Sequence, residues 1–466
     1  VDAALGELVG ITEYLAHDLR EVVAAHLGRE GFAGQPEVHR DTPPRDGIPS
    51  PHLGTIRDMR TFPQDLTVFA QQAGADTPLL DSQAQAEQDA RFNRIFFGPW
   101  DMRKTSIRKR DVEIYFRKAK GYKYGDVRWT QDEWDAMRAN AGLKSFPNTA
   151  MYGITVRNAD LREMPSHTPR FSEPTPDPRI NPFDYFQYSL LPVGTPVFIA
   201  HTSRDGNWYY VETPVAAGWV DANDIGIVDE AFEASYKTGS YVAVLRDNVP
   251  LPGSLAGQVN IGTVLPLAPS QSDNTRLAVL VPVKNGSRAT VVTLTLAHED
   301  AAIKPLPMTP AQVALIGNVM MGQRYGWGGM FGDRDCSALT RELLTPFGIW
   351  LPRNSLSQAR SGRRIMLDGM SIKEKEKAIL RDGVPFLTLV WLRGHIMLYV
   401  GPYKGRPAIF HNVWGVRTVE GASDNERFVI GRAVVSSITP GSELRNLYRT
   451  TTFGDRVNSI TVLGGR

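Results

Sequence analysis

The sequence predicts a multidomain α+β protein: a mostly helical N-terminal segment, two small β-barrels and a C-terminal α+β domain. Three observations carry this. At 466 residues the chain exceeds what one hydrophobic core organises and suggests about three or four units. From about 151 to 304 the apolar residues alternate in short runs broken by Gly, Asn and Asp, the pattern of strands and turns. After the prolines at 305 and 310 the spacing becomes helical and then strand-like, as in a separate α+β domain. The expected boundaries are 1–150, 151–229, 230–304 and 305–466.

Leu5, Leu8, Val9, Tyr14, Leu15, Leu19 and Val22 repeat at helical spacing, and the polar, Pro-rich run from 35 to 52 reads as an extended strap. A helical stretch at about 81–91 leads into Phe96-Phe97-Gly98-Pro99-Trp100, an aromatic cluster suited to docking this segment onto another domain. Strands follow at 153–157, 194–199 and 207–211, with Asp205-Gly206-Asn207-Trp208 as a tight turn before the third. Trp208, Tyr209 and Tyr210 are candidates for an aromatic wall, although alternation sends some of them inward. The runs at 241–245, 262–267 and 278–283 repeat the theme, and each half carries a Gly-Thr strand start, at Gly194 and Gly262. A tandem pair of barrels accounts for this, and a single larger β domain leaves similar traces.

Composition narrows the function classes. Hydrophobic residues make up 42% and charged residues 22% of the chain, ordinary for a globular protein, and a formal charge of +2 gives no argument for nucleic-acid binding. No run approaches the roughly 18–20 apolar residues that span a bilayer, so no stable membrane insertion is expected. No basic and apolar leader opens the chain, but it opens at Val1 and export stays compatible with that. One cysteine excludes an intrachain disulfide and a multi-cysteine zinc site. His17, His26, His39 and His52 share no ligand-like spacing, and neither a metal nor an organic cofactor is expected.

The single cysteine, Cys336, needs an explanation of its own. Leu339, Leu343, Leu344 and Phe347 have helical spacing and Gly348 supplies a stop, so Cys336 sits at a helix start, where unpaired N–H groups and the helix dipole favour a thiolate. A thiol nucleophile needs a base, and the C-terminal domain offers His395, opening one strand run, and His411, closing another. If those strands pair antiparallel through the turn at 401–405, both rings fall near one sheet end, where one can orient the other.

These residues resemble the NlpC-type family of papain-like cell-wall peptidases, the γ-D-glutamyl-diamino-acid endopeptidases. The resemblance covers roughly 310–435. It rests on Tyr325-Gly326-Trp327-Gly328-Gly329, Asp335-Cys336-Ser337, Leu351-Pro352-Arg353-Asn354-Ser355-Leu356-Ser357-Gln358, Gly394-His395-Ile396-Met397-Leu398-Tyr399-Val400-Gly401 and Phe410-His411-Asn412. It implies that Cys336 is the nucleophile, His395 the general base and His411 its orienter, with Tyr325 helping to stabilise an oxyanion. Asp335, Ser337 and Ser355 match positions that hold the polar ends of an L-Ala-γ-D-Glu portion; helix capping explains Asp335 and Ser337 equally well. Trp327 lines the cleft or packs beneath its loop. Two departures stand out. Ala338 replaces the usual Gly after Asp-Cys-Ser, and the stretch 360–382, with Lys373-Glu374-Lys375-Glu376-Lys377 read as a solvated helix face, is longer than a compact member needs. The β region resembles bacterial SH3-like domains.

The resemblance therefore implies a cysteine peptidase, periplasmic or extracellular and cell-wall associated, that hydrolyses the γ-D-glutamyl-diamino acid bond of peptidoglycan stem peptides through a thioester; a monomer is expected. If the first SH3-like domain closes one end of the cleft, short released peptides are the expected substrates. A catalytically silent wall-binding protein and an acyltransferase using the same thiolate are the alternatives.

Overall fold

The computed structural model describes residues 53–269, 275–419, 427–449 and 451–464. The helix and strap expected before residue 53, and the histidines at 17, 26, 39 and 52, lie outside the described residues. The chain divides into two compact units, one built from 92–304 with 327–332, the other from 53–91, 305–326 and 333–464.

In the β-rich unit the strands are β1 (Met151–Thr155), β2 (Ala159–Arg162), β3 (Gln187–Leu191), β4 (Pro196–Thr202), β5 (Trp208–Glu212), β6 (Ala217–Asp221), β7 (Ile225–Val228), β8 (Tyr241–Val244), β9 (Val249–Leu251), β10 (Gly257–Val259), β11 (Val264–Pro266), β12 (Arg276–Asn285), β13 (Arg288–Ala297) and β14 (Ala301–Lys304). One sheet runs β12-β13-β7-β1-β4-β5-β6-β2-β3, with β11-β8-β14 and β10-β9 as separate small sheets. The hairpin β12-β13 joins the large sheet through one parallel bridge, Arg288 to Ile227.

The helical residues before β1 share a core with these strands. The helix Gln131–Ala141 opens on a reciprocal cap between Thr130 and Glu133 and ends at Gly142, whose φ of 63° suits glycine. Its Trp134 packs with Trp129 and Phe186 in one apolar cluster with Trp208, Tyr210 and Trp219. Trp208 and Tyr210 thus point inward, and Tyr209 alone of that triplet is half-buried. The Phe-Phe-Gly-Pro-Trp cluster packs within this unit. Trp100 is buried, its Nε1 donates to the Gly153 carbonyl at 2.8 Å, and its ring meets Phe97, Phe232 and Tyr236.

The second unit is α+β. Its strands are β15 (Arg363–Met366), β16 (Thr388–Leu392), β17 (His395–Tyr403), β18 (Arg406–Arg417), β19 (Arg427–Ser436) and β20 (Val457–Val462), in the order β15-β20-β16-β17-β18-β19. All neighbours are antiparallel, and β20, the last strand among the described residues, lies inside the sheet between β15 and β16. The helix Pro310–Met320 starts on a Thr309 cap with Pro at its first position, and the helix Cys336–Leu344 packs on β17 and β18. Leu339, Leu343, Leu344 and Phe347 are all buried, and Gly348 stops the following turn at φ 73°.

The charged run in the helix Ile372–Asp382 is not a uniformly solvated face. Lys373, Glu374 and Lys377 are exposed, but Lys375 is buried and its Nζ donates to the carbonyls of Asp455 at 2.6 Å and Gly454 at 3.2 Å. The apolar stem covers core surface while two carbonyls satisfy the ammonium. Glu376 accepts from Arg406.

Replacing Trp100 with Ala removes a fully enclosed ring and a hydrogen bond. Urea unfolding is expected to report a loss of about 3–5 kcal/mol from the β-rich unit; a loss below about 1 kcal/mol counts against this docking role.

Candidate active site

Cys336 occupies the first turn of its helix, with Asp335 as the N-cap accepting from the Ala338 N–H at 2.9 Å. Backbone N–H groups of Ile396 and Ser337 point at the sulfur, which brings the start of β17 against the helix N-terminus. His395 is the residue before Ile396. Its strand pairs with β18 through a short turn, Tyr403 opposite Arg406, and with Leu398 opposite Phe410. Continuing that register puts His411 opposite Met397, on the face of His395 and diagonal to it. The two rings meet there: His395 Nε2 lies 2.8 Å from His411 Nδ1.

The line continues inward. His411 Nε2 lies 2.9 Å from Ser436 Oγ on β19, and that hydroxyl donates to the Ser437 carbonyl at 2.7 Å. Phe453 packs edge-on over both imidazoles, with ring centroids 5.5 Å from His395 and 5.9 Å from His411. Lys375 fixes the loop that carries it.

Burial dominates the electrostatics. It pushes the Cys336 thiol up to about 12, with the nearby Asp335 carboxylate adding to the rise, while the Ile396 N–H, Arg353 and the Ser337 N–H oppose it. The same loss of water lowers His395 to about 3, assisted by the Arg456 guanidinium, and lowers His411 well below the usual imidazole range. At rest the thiol and both imidazoles are therefore neutral. The helix terminus alone argues for a thiolate, but its contribution of up to about 2 kcal/mol is smaller than the several kcal/mol of removing an ion from water.

Asp335 has more than a capping role. Arg353 grips it with two bonds, Nη2 to Oδ2 at 2.6 Å and Nη1 to Oδ1 at 3.0 Å, and also donates to Ser337 Oγ at 2.8 Å. Asp335 and Ser337 thus spend polar atoms on capping and on this buried network. Ser355 is half-buried at the head of the short helix Ser355–Gln358, which packs on β17. Tyr325 is buried, and burial above all, with the nearby Asp335 carboxylate adding to it, raises its hydroxyl well above the ordinary range, so it stays a hydrogen-bond donor. Trp327 packs in the β-rich unit, against Phe183 and Tyr185. Gly328 and Gly329 follow with φ of 64° and 88°, and a Cβ on either would lie within 3 Å of Gln187 or Leu190. Those two glycines allow the loop to lie against β3.

The motif blocks held residues whose roles the spacing did not reveal. Arg353 and Gln358 sit inside one block, and Gln358 Nε2 donates to the Ser337 and Pro352 carbonyls at 2.8 Å. Asn412 follows His411 and ties the carbonyls of Arg324 and Arg334. Ser436 and Phe453 lie outside every block and carried no signal. Among the described residues no cluster of three or more His, Cys, Asp or Glu could hold a metal ion, and no helix is long and apolar enough to cross a membrane.

Comparison with known proteins agrees with this architecture. Residues 322–432 match the NlpC/P60 family, residues 169–221 an SH3 domain of the SH3b1 type, and residues 33–146 the N-terminal stabilising domain of NlpC/P60 proteins. A solved NlpC/P60 endopeptidase from Photobacterium damselae subsp. piscicida is similar over 87% of this chain and 97% of its own, with 25% identity and a TM-score of 0.74. An NlpC/P60 family protein from Bacillus cereus ATCC 10987 aligns with 59% of this chain and 82% of its own at 16% identity and a TM-score of 0.39. No curated protein sequence matches.

Arg353→Met leaves the buried Asp335 carboxylate without its counter-ion. The second unit is expected to lose about 3–5 kcal/mol in urea unfolding, with Asp335→Asn added to Arg353→Met recovering part of it. Arg353→Lys is expected to rescue poorly, because an ammonium lacks the two-pronged geometry. Full stability in Arg353→Lys contradicts the two-bond reading.

Proposed function

With an NlpC/P60 domain, an SH3 domain and the family's stabilising domain in one chain, we propose that the protein is a cell-wall cysteine endopeptidase that hydrolyses the γ-D-glutamyl-diamino acid bond of peptidoglycan stem peptides. The observation that carries the reading is the alignment of the Cys336 helix terminus, the start of β17 and the His395–His411 pair.

The chemistry follows from a neutral resting pair. With His395 Nε2 engaged by His411, Nδ1 is the nitrogen that takes the thiol proton as sulfur attacks the γ-carbonyl carbon of D-glutamate. The oxygen gains the negative charge, and Tyr325 Oη with backbone N–H groups near Cys336 supplies donors for it. Collapse breaks the C–N bond, His395 returns the proton to the departing amine, and a thioester remains on Cys336. Water, deprotonated by His395, then releases the γ-carboxylate and restores the thiol. Asp335, Ser337 and Ser355 are proposed to face the L-Ala-γ-D-Glu portion with whatever polar atoms the Arg353 network leaves. The resemblance to cell-wall enzymes supports action in the periplasm or outside the cell.

Product mass after incubation with L-Ala-γ-D-Glu-diaminopimelate tests this. Two hydrolysis fragments are expected; an adduct with an added amine means acyl transfer, and unchanged peptide means a binding protein. Cys336→Ala and His395→Ala are each expected to lower kcat by about a thousandfold or more, and His411→Ala by less.

Because Cys336 is pushed up to about 12, its alkylation by iodoacetamide is expected to keep rising above pH 9, where an exposed cysteine near 8.5 already levels off. A plateau at neutral pH contradicts the neutral pair.

A further inference from the structure

The line of hydrogen bonds behind His395 has a fixed direction, and its far end sets it. The Ser437 carbonyl oxygen can only accept, and the Ser436 hydroxyl donates its one proton to it at 2.7 Å. That leaves a lone pair on Ser436 Oγ facing His411 Nε2 at 2.9 Å, and His411 Nε2 must carry the hydrogen. Burial keeps both imidazoles neutral, with one N–H each. His411 Nδ1 is then bare and accepts from His395 Nε2 at 2.8 Å. His395 is left with a bare Nδ1.

We propose that Ser436 is a positioning residue that fixes the tautomers of both histidines through this one-way line, so that His395 Nδ1 remains a proton acceptor. The proposal rests on the reading of Cys336 and His395 as nucleophile and base. The reverse polarity, with His411 Nδ1 donating to His395 Nε2, also leaves both rings neutral and also satisfies the bond between them. It puts the hydrogen of His395 on Nδ1, where it cannot take a proton from sulfur. The two polarities differ at His411 Nε2, and Ser436 is what that nitrogen meets.

The anchor itself is rigid. Ser436 is fully buried on β19 opposite Ile409 of β18. Its neighbour Ser437 is held by Asp58, whose Oδ2 accepts from the Ser437 N–H at 2.8 Å and from its hydroxyl at 2.6 Å. The carbonyl that orients Ser436 is therefore fixed by a carboxylate some 380 positions earlier in the chain. Phe453 packs edge-on against both rings.

Nitrogen-15 spectra of the imidazoles in the full chain at neutral pH test the assignment, with kcat and KM measured on L-Ala-γ-D-Glu-diaminopimelate. The wild-type protein is expected to show Nε2–H on both His395 and His411. In Ser436→Ala the His395 signal is expected to move toward Nδ1–H, with kcat down about tenfold to a hundredfold and KM within about twofold, a milder form of the loss that a complete tautomer reversal causes in a serine protease. Ser436→Thr keeps the oxygen and is expected to restore both. A wild-type His395 carrying its hydrogen on Nδ1 overturns the proposal, whatever the variants do. So does a folded Ser436→Ala protein with unchanged tautomers and kcat. If the Ala variant does not fold, Ser436→Cys, similar in volume and a weaker acceptor, must show a partial shift, and no shift there also overturns it. A chain that cleaves no stem peptide, yet has Nε2–H on both rings until Ser436 is replaced, defeats the hydrolase reading and leaves the tautomer assignment standing.

Discussion

Exclusion of water from the Cys336, His395 and His411 side chains is the constraint on which the rest of the second unit depends. All three are buried, and the imidazoles are shifted down and the thiol up by the same cause. A preformed thiolate–imidazolium pair would have to be held by local dipoles against a desolvation cost of several kcal/mol per ion. The dipoles present are a helix terminus, two backbone N–H groups and a guanidinium already shared with Asp335. They lower the cost of charge when it forms without making it the resting state. On the proposed reading, such a site keeps its thiol unreactive until a substrate carbonyl arrives.

A dry interior also favours a protein partner for the remaining polar atoms. This explains how much of the surrounding sequence is polar and buried. Asp335 caps the helix, but a lone carboxylate beside the sulfur would raise the thiol further, and Arg353 offsets it with two bonds. Asn412 spends its amide on the carbonyls of Arg324 and Arg334, at the two ends of the loop that bears Tyr325. Arg334 is itself held by Glu342 and Gln323. The loop preceding Cys336 is thus fixed at its ends by side chains and by the backbone bridges Arg324 to Arg432 and Tyr325 to Arg334.

What the sequence made legible follows the range over which each signal acts. Cys336 at a helix start is local, set by the spacing of Leu339, Leu343 and Leu344, and the helix Cys336–Leu344 begins there. The hairpin joining His395 to His411 is nearly local, and turn residues announced it. The aromatic cluster at Trp100 was readable as a docking element because apolar rings beside turn residues must be covered by something. The protonation state was not readable, because it depends on what stacks above the rings, and Phe453 comes from a loop more than forty residues beyond His411. Lys375 was misread for the same reason. In a run of alternating charges nothing local separates the lysine that meets two carbonyls from those that meet water.

The division between legible and hidden residues has a structural origin in the order of the sheet. The last strand, β20, inserts between β15 and β16, so the segment that precedes it must cross the end of the sheet where β17 begins. Leu392 pairs with both His395 and Val457, which puts the residues just before Val457 two strands from His395. Phe453 and Arg456 reach His395 from there, and Ser436 reaches His411 from the strand next to β18. All three lie beyond residue 432, where the family match ends. The motif blocks therefore supply Cys336, His395 and His411, while the side chains that pack on and bond to the two imidazoles come from the C-terminal thirty or so residues. A relative carrying every block but an apolar residue at the Ser436 position would keep its cysteine and both histidines, yet nothing would choose between the two directions of the bond joining them.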